Sequence, residues 1–268
     1  MRKMSILRWS GSKTRLLSDL RRLAPRDFQR YIEPFAGSAS LFFEIAPKNA
    51  ILGDVNPCVI DMYRAIKLDA SRVADTLDGI PRTAEAFYML RELSPADLTL
   101  SQRAARLIFL MKACFNGVYR TNKQGKFNVP MGDKIYAIPS REELLGAQKL
   151  LEGTELFHAD FAKTTSLCDK EDWVYLDPPY KSQGRYRGEY GYDAEFCSMQ
   201  MTSLVSMAEK LSERGCLVTI SYSYDEELIE KLSGWNINPV YAQRSVARSL
   251  SKRGAAREII ITNYESLK

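Results

Sequence analysis

The chain has 268 residues, 45% of them hydrophobic, and a net charge of +5, which is enough for one sizeable core and a small second lobe. No apolar run approaches the roughly 20 residues of a membrane span, and MRKMSILRWSGSK has no apolar stretch behind its charges, so a cytoplasmic address is expected. Five scattered cysteines without a C-x-x-C pair, and a single histidine, speak against a disulfide framework, a zinc site and a Ser/His/Asp mechanism.

The positive charge is concentrated in two places. Residues 58–140 hold 12 Lys and Arg against 8 Asp and Glu, and residues 244–268 hold 6 against 2, so each segment is +4 and the remainder is −3. That distribution suits a polyanionic partner, although solvated faces give similar counts.

Residues 8–17, RWSGSKTRLL, come first. A phosphate loop needs glycine directly before its lysine, and Ser12 stands before Lys13. Ser10 is the expected cap of a helix beginning near Lys13, the Lys13 ammonium is available to a carboxylate, and Trp9 offers a flat wall. Next, Tyr31-Ile32-Glu33-Pro34-Phe35 reads as a buried strand, Gly37-Ser38-Ala39 as a tight turn, and Ser40 as a helix start. The arrangement is similar to the nucleotide-binding opening of doubly wound folds, without the G-x-G-x-x-G spacing that pyrophosphate would require. A second strand at residues 50–53 ends in Asp54, which either holds ribose hydroxyls or opens a turn or caps the helix starting near Pro57.

From Val59 to about Leu110 apolar residues recur at three and four spacing, broken at Gly79-Ile80-Pro81 and Ser94-Pro95, which marks a helical insert. At its end Asn116, Arg120, Lys126 and Asn128 interleave with aromatics and glycines, and Gln124-Gly125 is a hairpin tip. Asn and Arg can pair with purine edges and Lys with phosphates, so the segment is either a base-reading hairpin or an ordinary polar loop.

The α/β pattern then resumes with a helix from about Ser140 and a strand at residues 155–158 that leads to Asp160 and Phe161. His158, between Phe157 and Ala159, reads as structural. The buried run Trp173-Val174-Tyr175-Leu176 closes on Asp177-Pro178-Pro179-Tyr180. Proline fixes its own φ and has no N–H, so this notch presents the Asp177 carboxylate, the Pro178 carbonyl and the Tyr180 ring. Two acceptors and a stacking face suit an exocyclic amino group on a flat base, whereas the bare dipeptide pattern also fits a simple turn. A loop carrying Arg185 and Arg187 follows, then a helix with Met201, Leu204, Val205, Ala208 and Leu211 on its core face, a strand in CLVTISYS, and a last strand from Glu258. Arg248, Lys252 and Arg253 lie in the basic stretch before it.

In this order the motifs resemble the Dam-like DNA adenine-N6 methyltransferases. They stand as Trp9-Ser10-Gly11-Ser12-Lys13, Glu33-Pro34-Phe35-Ala36-Gly37, Asp54-Val55-Asn56, Phe115-Asn116-Gly117-Val118-Tyr119-Arg120, Phe127-Asn128-Val129-Pro130, Ala159-Asp160-Phe161, Asp177-Pro178-Pro179-Tyr180 and a closing Glu258-Ile259-Ile260-Ile261-Thr262-Asn263-Tyr264. The resemblance implies an α/β Rossmann-like methyltransferase with a mixed, mainly parallel seven-stranded sheet. A catalytic domain of residues 1–57 and 141–268 would carry an inserted helical recognition domain of residues 58–140.

It also implies S-adenosylmethionine as donor, with S-adenosylhomocysteine as product and no metal. Lys13 and Trp9 would hold the methionine end, Glu33, Phe35 and Gly37 would line the pocket, Asp54 would hold the ribose, and Asp160 and Phe161 the donor's adenine. Asp177 borders both ligands. Asp177, Pro178 and Tyr180 would act on an adenine flipped out of double-stranded DNA. Asn116, Arg120, Lys126, Asn128, Arg185, Arg187, Arg248, Lys252 and Arg253 would contact the DNA. A monomer or weak dimer is expected, with a cognate restriction endonuclease as a candidate partner. The turn departs from many relatives in having Ser38-Ala39 where they carry a second glycine. The alternatives are an RNA or protein-amide methyltransferase on the same fold and a non-catalytic DNA-binding protein.

Overall fold

The computed structural model describes residues 6–179, 198–242 and 256–265. Tyr180, Arg185, Arg187, Arg248, Lys252 and Arg253 lie outside the described residues, as do the side chains of Met199 and Met201.

Three short apolar runs, each buried throughout, become the centre of a sheet, because a strand buried on both faces has no polar alternation to keep. β1 (Tyr31–Glu33) lies between β2 (Ala50–Asp54) and β4 (Trp173–Leu176), and both pairings are parallel. β3 (Thr154–His158) extends the sheet beyond β2, and β5 (Leu217–Ser223) beyond β4, again in parallel. β6 (Asn236–Ala242) and β7 (Ala256–Thr262) run antiparallel, which gives the order β3-β2-β1-β4-β5-β7-β6. The chain winds outward from β1 to β3 and returns on the other side at β4. The carboxyl ends of β1 and β4 therefore diverge, and a crevice opens at this switch point.

Tyr31, Leu52, Trp173, Tyr175 and Ile260 face one helical layer: α1 (Leu17–Arg22), α2 (Ser40–Ile45), α3 (Pro57–Asp78), α5 (Leu100–Ala113) and α6 (Arg141–Leu151). Ile32, Val174, Leu176, Val218, Ile220, Ile259 and Ile261 face the other, where α7 (Phe161–Thr165), α8 (Ser198–Glu213) and α9 (Glu226–Lys231) pack. The helices of residues 58–140 share one apolar core with the first face of the sheet. On α8 the expected stripe is buried at Leu204, Val205, Ala208 and Leu211.

Local chemistry fixes the element ends. Asn56 caps α3 by accepting the Cys58 N–H at 3.0 Å, with Pro57 at the first helical position. α3 kinks at Asp69, whose carboxylate accepts the Arg72 N–H and restarts the helix. Capping boxes open α5 (Thr99 with Gln102) and α6 (Ser140 with Glu143). α4 (Ala84–Glu92) is closed by buried Arg106, which donates to the carbonyls of Leu90 and Arg91 at 2.7 and 3.0 Å. His158 sits within 3.1 Å of the Val55 carbonyl and ties β3 to the turn after β2, as a structural histidine should.

Two elements depart from the sequence reading. β6 is a full strand although Asn236, Asn238 and Pro239 weaken its pattern; it is the sheet edge, where proline's missing N–H is tolerated. Ser10 does not cap a helix. Residues Lys13–Arg15 form a 3-10 turn behind Ser12, whose hydroxyl is engaged by Ser38 and Ser40 at 3.1 and 2.8 Å, while the Ser10 N–H goes to the Gly117 carbonyl.

Candidate active site

β4 delivers Asp177 to the mouth of the crevice, followed by buried Pro178. The Asp177 Oδ1 accepts from Lys13 Nζ at 2.6 Å and from Ser221 Oγ at 3.0 Å. The Lys13 and Asp177 side chains are only 9% and 17% exposed, so the pair sits largely out of water. Burial pushes the Asp177 carboxyl up, and Lys13 and Ser221 oppose that rise. Lys13 reaches this depth because Ile6, Leu7, Leu16 and Leu17 anchor both flanks of its loop in the core.

Two further acids converge on the crevice. Glu33 ends β1, is buried, and accepts from the Tyr31 hydroxyl at 2.9 Å. Burial raises its carboxyl well above the usual range, and Asp177 and Asp54 raise it further by repulsion. Asp54 ends β2 and binds two backbone amides, Asn56 N–H at Oδ1 (2.8 Å) and Gly37 N–H at Oδ2 (2.9 Å). Burial brings it to about 6 despite those bonds. The turn role of Asp54 is thus present, whereas the helix cap is Asn56. Each Asp54 oxygen keeps a second lone pair for a ligand.

Gly37 gathers the surrounding pieces. Its carbonyl accepts from the Tyr63 hydroxyl at 2.8 Å, and its α-carbon lies under the Trp9 indole, so closely that a Cβ would come within 2.9 Å of the ring. Trp9 in turn stacks on Tyr119, with centroids 5.6 Å apart. Phe35 and Phe161 stack at 5.3 Å on the α7 side of the crevice. Asp160 is exposed and caps α7 by accepting the Lys163 N–H at 2.7 Å.

The segment after α5 is a hairpin with Gln124-Gly125 at its tip. Thr121 bridges to Phe127, and the Gly125 N–H bonds the Asn122 carbonyl at 2.9 Å. Arg120 and Asn128 face each other across it, Nε to Oδ1 at 2.8 Å. Lys126 is exposed near the tip, and Asn116 is exposed at the root in a left-handed backbone conformation (φ 54°). The root is tied to the first loop: Arg8 donates to the Cys114 carbonyl at 2.8 Å and lies over the Tyr136 ring.

The structure therefore joins Lys13 to Asp177, Gly37 to Asp54 and Trp9, Phe35 to Phe161, and Arg120 to Asn128. Sequence reasoning missed Ser221, Tyr31, Tyr63 and Arg8. For Ser221 a signal was present: in CLVTISYS the polar Thr219 and Ser221 alternate with Val218, Ile220 and Tyr222, so one face of a central strand is polar. Among the described residues no group of three or more His, Cys, Asp or Glu is placed to hold a metal, and no helix is long and apolar enough to cross a membrane.

A sheet in this order, with an acid and two prolines at the end of β4, is the fold of the α/β methyltransferase class. Residues 9–246 match the D12 class N6 adenine-specific DNA methyltransferases, and the chain belongs to that family. It is 30% identical to the type II methyltransferase M.MjaIII of Methanocaldococcus jannaschii over 96% of this chain and 98% of that protein. Similar relatives are the type II methyltransferase M1.LlaDCHI of Lactococcus lactis subsp. cremoris, at 30% identity over 96% and 94%, and the DNA adenine methylase of Haemophilus influenzae, at 27% over 95% and 91%. The chain is accordingly an adenine-specific DNA methyltransferase.

Proposed function

We propose that the crevice binds S-adenosylmethionine beside an adenine flipped out of double-stranded DNA, and that Asp177 and the Pro178 carbonyl accept the two N6–H bonds. The observation that carries this is the placement of Asp177 at the carboxyl end of β4, next to buried Pro178, with its Oδ1 held by Lys13 and Ser221. The residues present fit the donor. Asp54 keeps acceptor lone pairs for ribose hydroxyls, and the buried Lys13–Asp177 pair offers both signs of charge to a ligand that carries a sulfonium, an ammonium and a carboxylate. Trp9 and Lys13 would hold its methionine end, Glu33, Phe35 and Gly37 its surroundings, Asp54 the ribose, and Asp160 and Phe161 the adenine.

When bound, the donor supplies a methyl group made electrophilic by its sulfonium. The chain's own work lies on the nucleophile. The N6 lone pair of adenine is delocalised into the ring, and two fixed acceptors favour a pyramidal nitrogen with that lone pair released. This is stabilisation of the transition state by preorganised groups. Tyr180 is assigned the stacking role on the flipped base.

We assign residues 1–57 and 141–268 to catalysis and residues 58–140 to target recognition. Asn116, Arg120, Lys126 and Asn128 would contact DNA from the hairpin, with Arg185, Arg187, Arg248, Lys252 and Arg253 supplying further contacts. A monomer or weak dimer in the cytoplasm, working with a cognate restriction endonuclease, completes the proposal. The test is incubation of the protein with methyl-labelled donor and duplex DNA. Label should be recovered as N6-methyladenine, and label confined to RNA or protein would overturn the reading.

Recognition has its own test. Arg120→Ala should reduce discrimination between matched and single-base-changed duplexes by on the order of tenfold, while Lys126→Ala weakens binding to both alike. Turnover on the two duplexes decides it, and an equal loss on both for Arg120→Ala would remove Arg120 from the reading set.

A further inference from the structure

Beneath the acceptor carboxylate runs a chain of hydroxyls that no motif marks. Tyr175 on β4 and Asp177 just past its end are two residues apart, and β5 lies alongside with Ser221 in contact with both. The Tyr175 hydroxyl and Ser221 Oγ are 2.8 Å apart, and Ser221 Oγ is 3.0 Å from Asp177 Oδ1. An ionised carboxylate only accepts, so Ser221 donates to Asp177, and Tyr175 is left to donate to Ser221. Tyr175 and Ser221 are 1% and 0% exposed, so the chain polarises in a low dielectric.

Among the described residues both partners of Asp177, Lys13 and Ser221, sit on Oδ1. Lys13 alone would hold the carboxylate loosely, because its ammonium rides on a long flexible stem and is shared with the Gly11 carbonyl at 3.1 Å. Ser221 rides on a buried strand and has one short torsion.

We propose that Ser221, oriented by Tyr175, is a positioning residue for methyl transfer: it holds Asp177 Oδ1 so that Oδ2 meets the adenine amino group. This rests on the reading of Asp177 as the N6 acceptor. Among the described residues the groups that face Asp177 or its hydroxyl chain are Lys13 from the first loop, Glu33 and Tyr31 from β1, Tyr175 from β4 and Ser221 from β5. Asp177 serves as a charged acceptor, which is stronger than a neutral carboxyl, so turnover falls as pH drops through its pKa. Without Ser221, burial is opposed by Lys13 alone, and that acid limb moves to higher pH.

The experiment compares Ser221→Ala, Ser221→Thr, Tyr175→Phe and Asp177→Ala in the whole chain by kcat, KM for donor and duplex, pH profile and thermal unfolding. Ser221→Ala should lose about tenfold or more in kcat with both KM values within about twofold. Its acid limb should move up in pH, and activity should partly return at alkaline pH. Ser221→Thr, which keeps the hydroxyl, should restore most of the rate. Tyr175→Phe, which removes one oxygen, should shift the limb in the same direction by less, and it stands in if Ser221→Ala fails to fold. An unmoved acid limb in these variants, parent-like turnover in Ser221→Ala, or a folded Ser221→Thr no better than alanine overturns the proposal. Parent-like turnover in Asp177→Ala would overturn the acceptor reading itself, whereas an inactive Asp177→Ala beside a parent-like Ser221→Ala removes only the role of Ser221.

Discussion

Asp177→Ala should lower methyl transfer by on the order of 10²- to 10³-fold, the size expected when one preorganised group at the reacting atom is removed. Binding to duplex DNA should stay close to that of the parent. Two effects act together. The N6 amino group loses its charged acceptor, and the Pro178 carbonyl alone cannot hold the nitrogen pyramidal. Lys13, which now lies 2.6 Å from the carboxylate in a mostly buried pocket, loses its counter-charge and is free to swing into the space. Asp177→Asn separates the two: it keeps one oxygen acceptor but presents a neutral group to Lys13, so it should fall between alanine and the parent. Single-turnover transfer at saturating donor and DNA measures the chemical step, and DNA binding by fluorescence anisotropy measures the rest. Turnover of Asp177→Ala within about tenfold of the parent, a far smaller loss than such groups give, would falsify the assignment.

The frame of the fold was legible because β1, β2 and β4 are short runs, buried throughout and bounded by turn residues, and a strand with no polar alternation has to be central. β6 was not, because Pro239 and two asparagines suppress the local signal at an edge where pairing with β7 decides the outcome. The site divides in the same way. Motifs at strand ends could be read, since the carboxyl ends of parallel strands meet at the switch point whatever the loops do. What could not be read is who touches whom. Lys13 and Asp177 are 164 positions apart and meet only because the first loop folds over the crevice. Ser221 is an ordinary serine until the register of β4 and β5 sets it beside Asp177. The failed Ser10 cap has the same origin. Its N–H is taken by Gly117 at the hairpin root, more than 100 residues away, and the short turn that follows begins at Lys13 behind Ser12.

That contact also explains why the first loop belongs to the site at all. Ser10, Arg8 and Trp9 each bond or stack against residues 114–119, so the loop that carries Lys13 is braced by the root of the hairpin. The weakest place to disturb that brace is Gly37. Gly37→Ala should lower donor affinity by about tenfold or more, because the close approach to Trp9 cannot survive an added carbon. The residue has φ +45, a left-handed conformation that costs a side-chain-bearing residue about 1–2 kcal/mol. Its Cβ would lie 2.9 Å from Trp9 Cδ1 and Nε1. It cannot back away, because its N–H is held by Asp54 and its carbonyl by Tyr63. Trp9 must therefore tilt, which loosens its stack on Tyr119. Gly125→Ala is the matching control. It has φ +75 and nothing within 4 Å of the added carbon, so it carries backbone strain without a collision. Both variants should lower the unfolding midpoint, by roughly 2–4 °C for each kcal/mol lost. Only Gly37→Ala should weaken donor binding, read by calorimetry with S-adenosylmethionine or S-adenosylhomocysteine. Parent-like donor affinity in Gly37→Ala, alongside a lowered midpoint, would show that the indole and the turn form a structural contact and not a wall of the donor pocket.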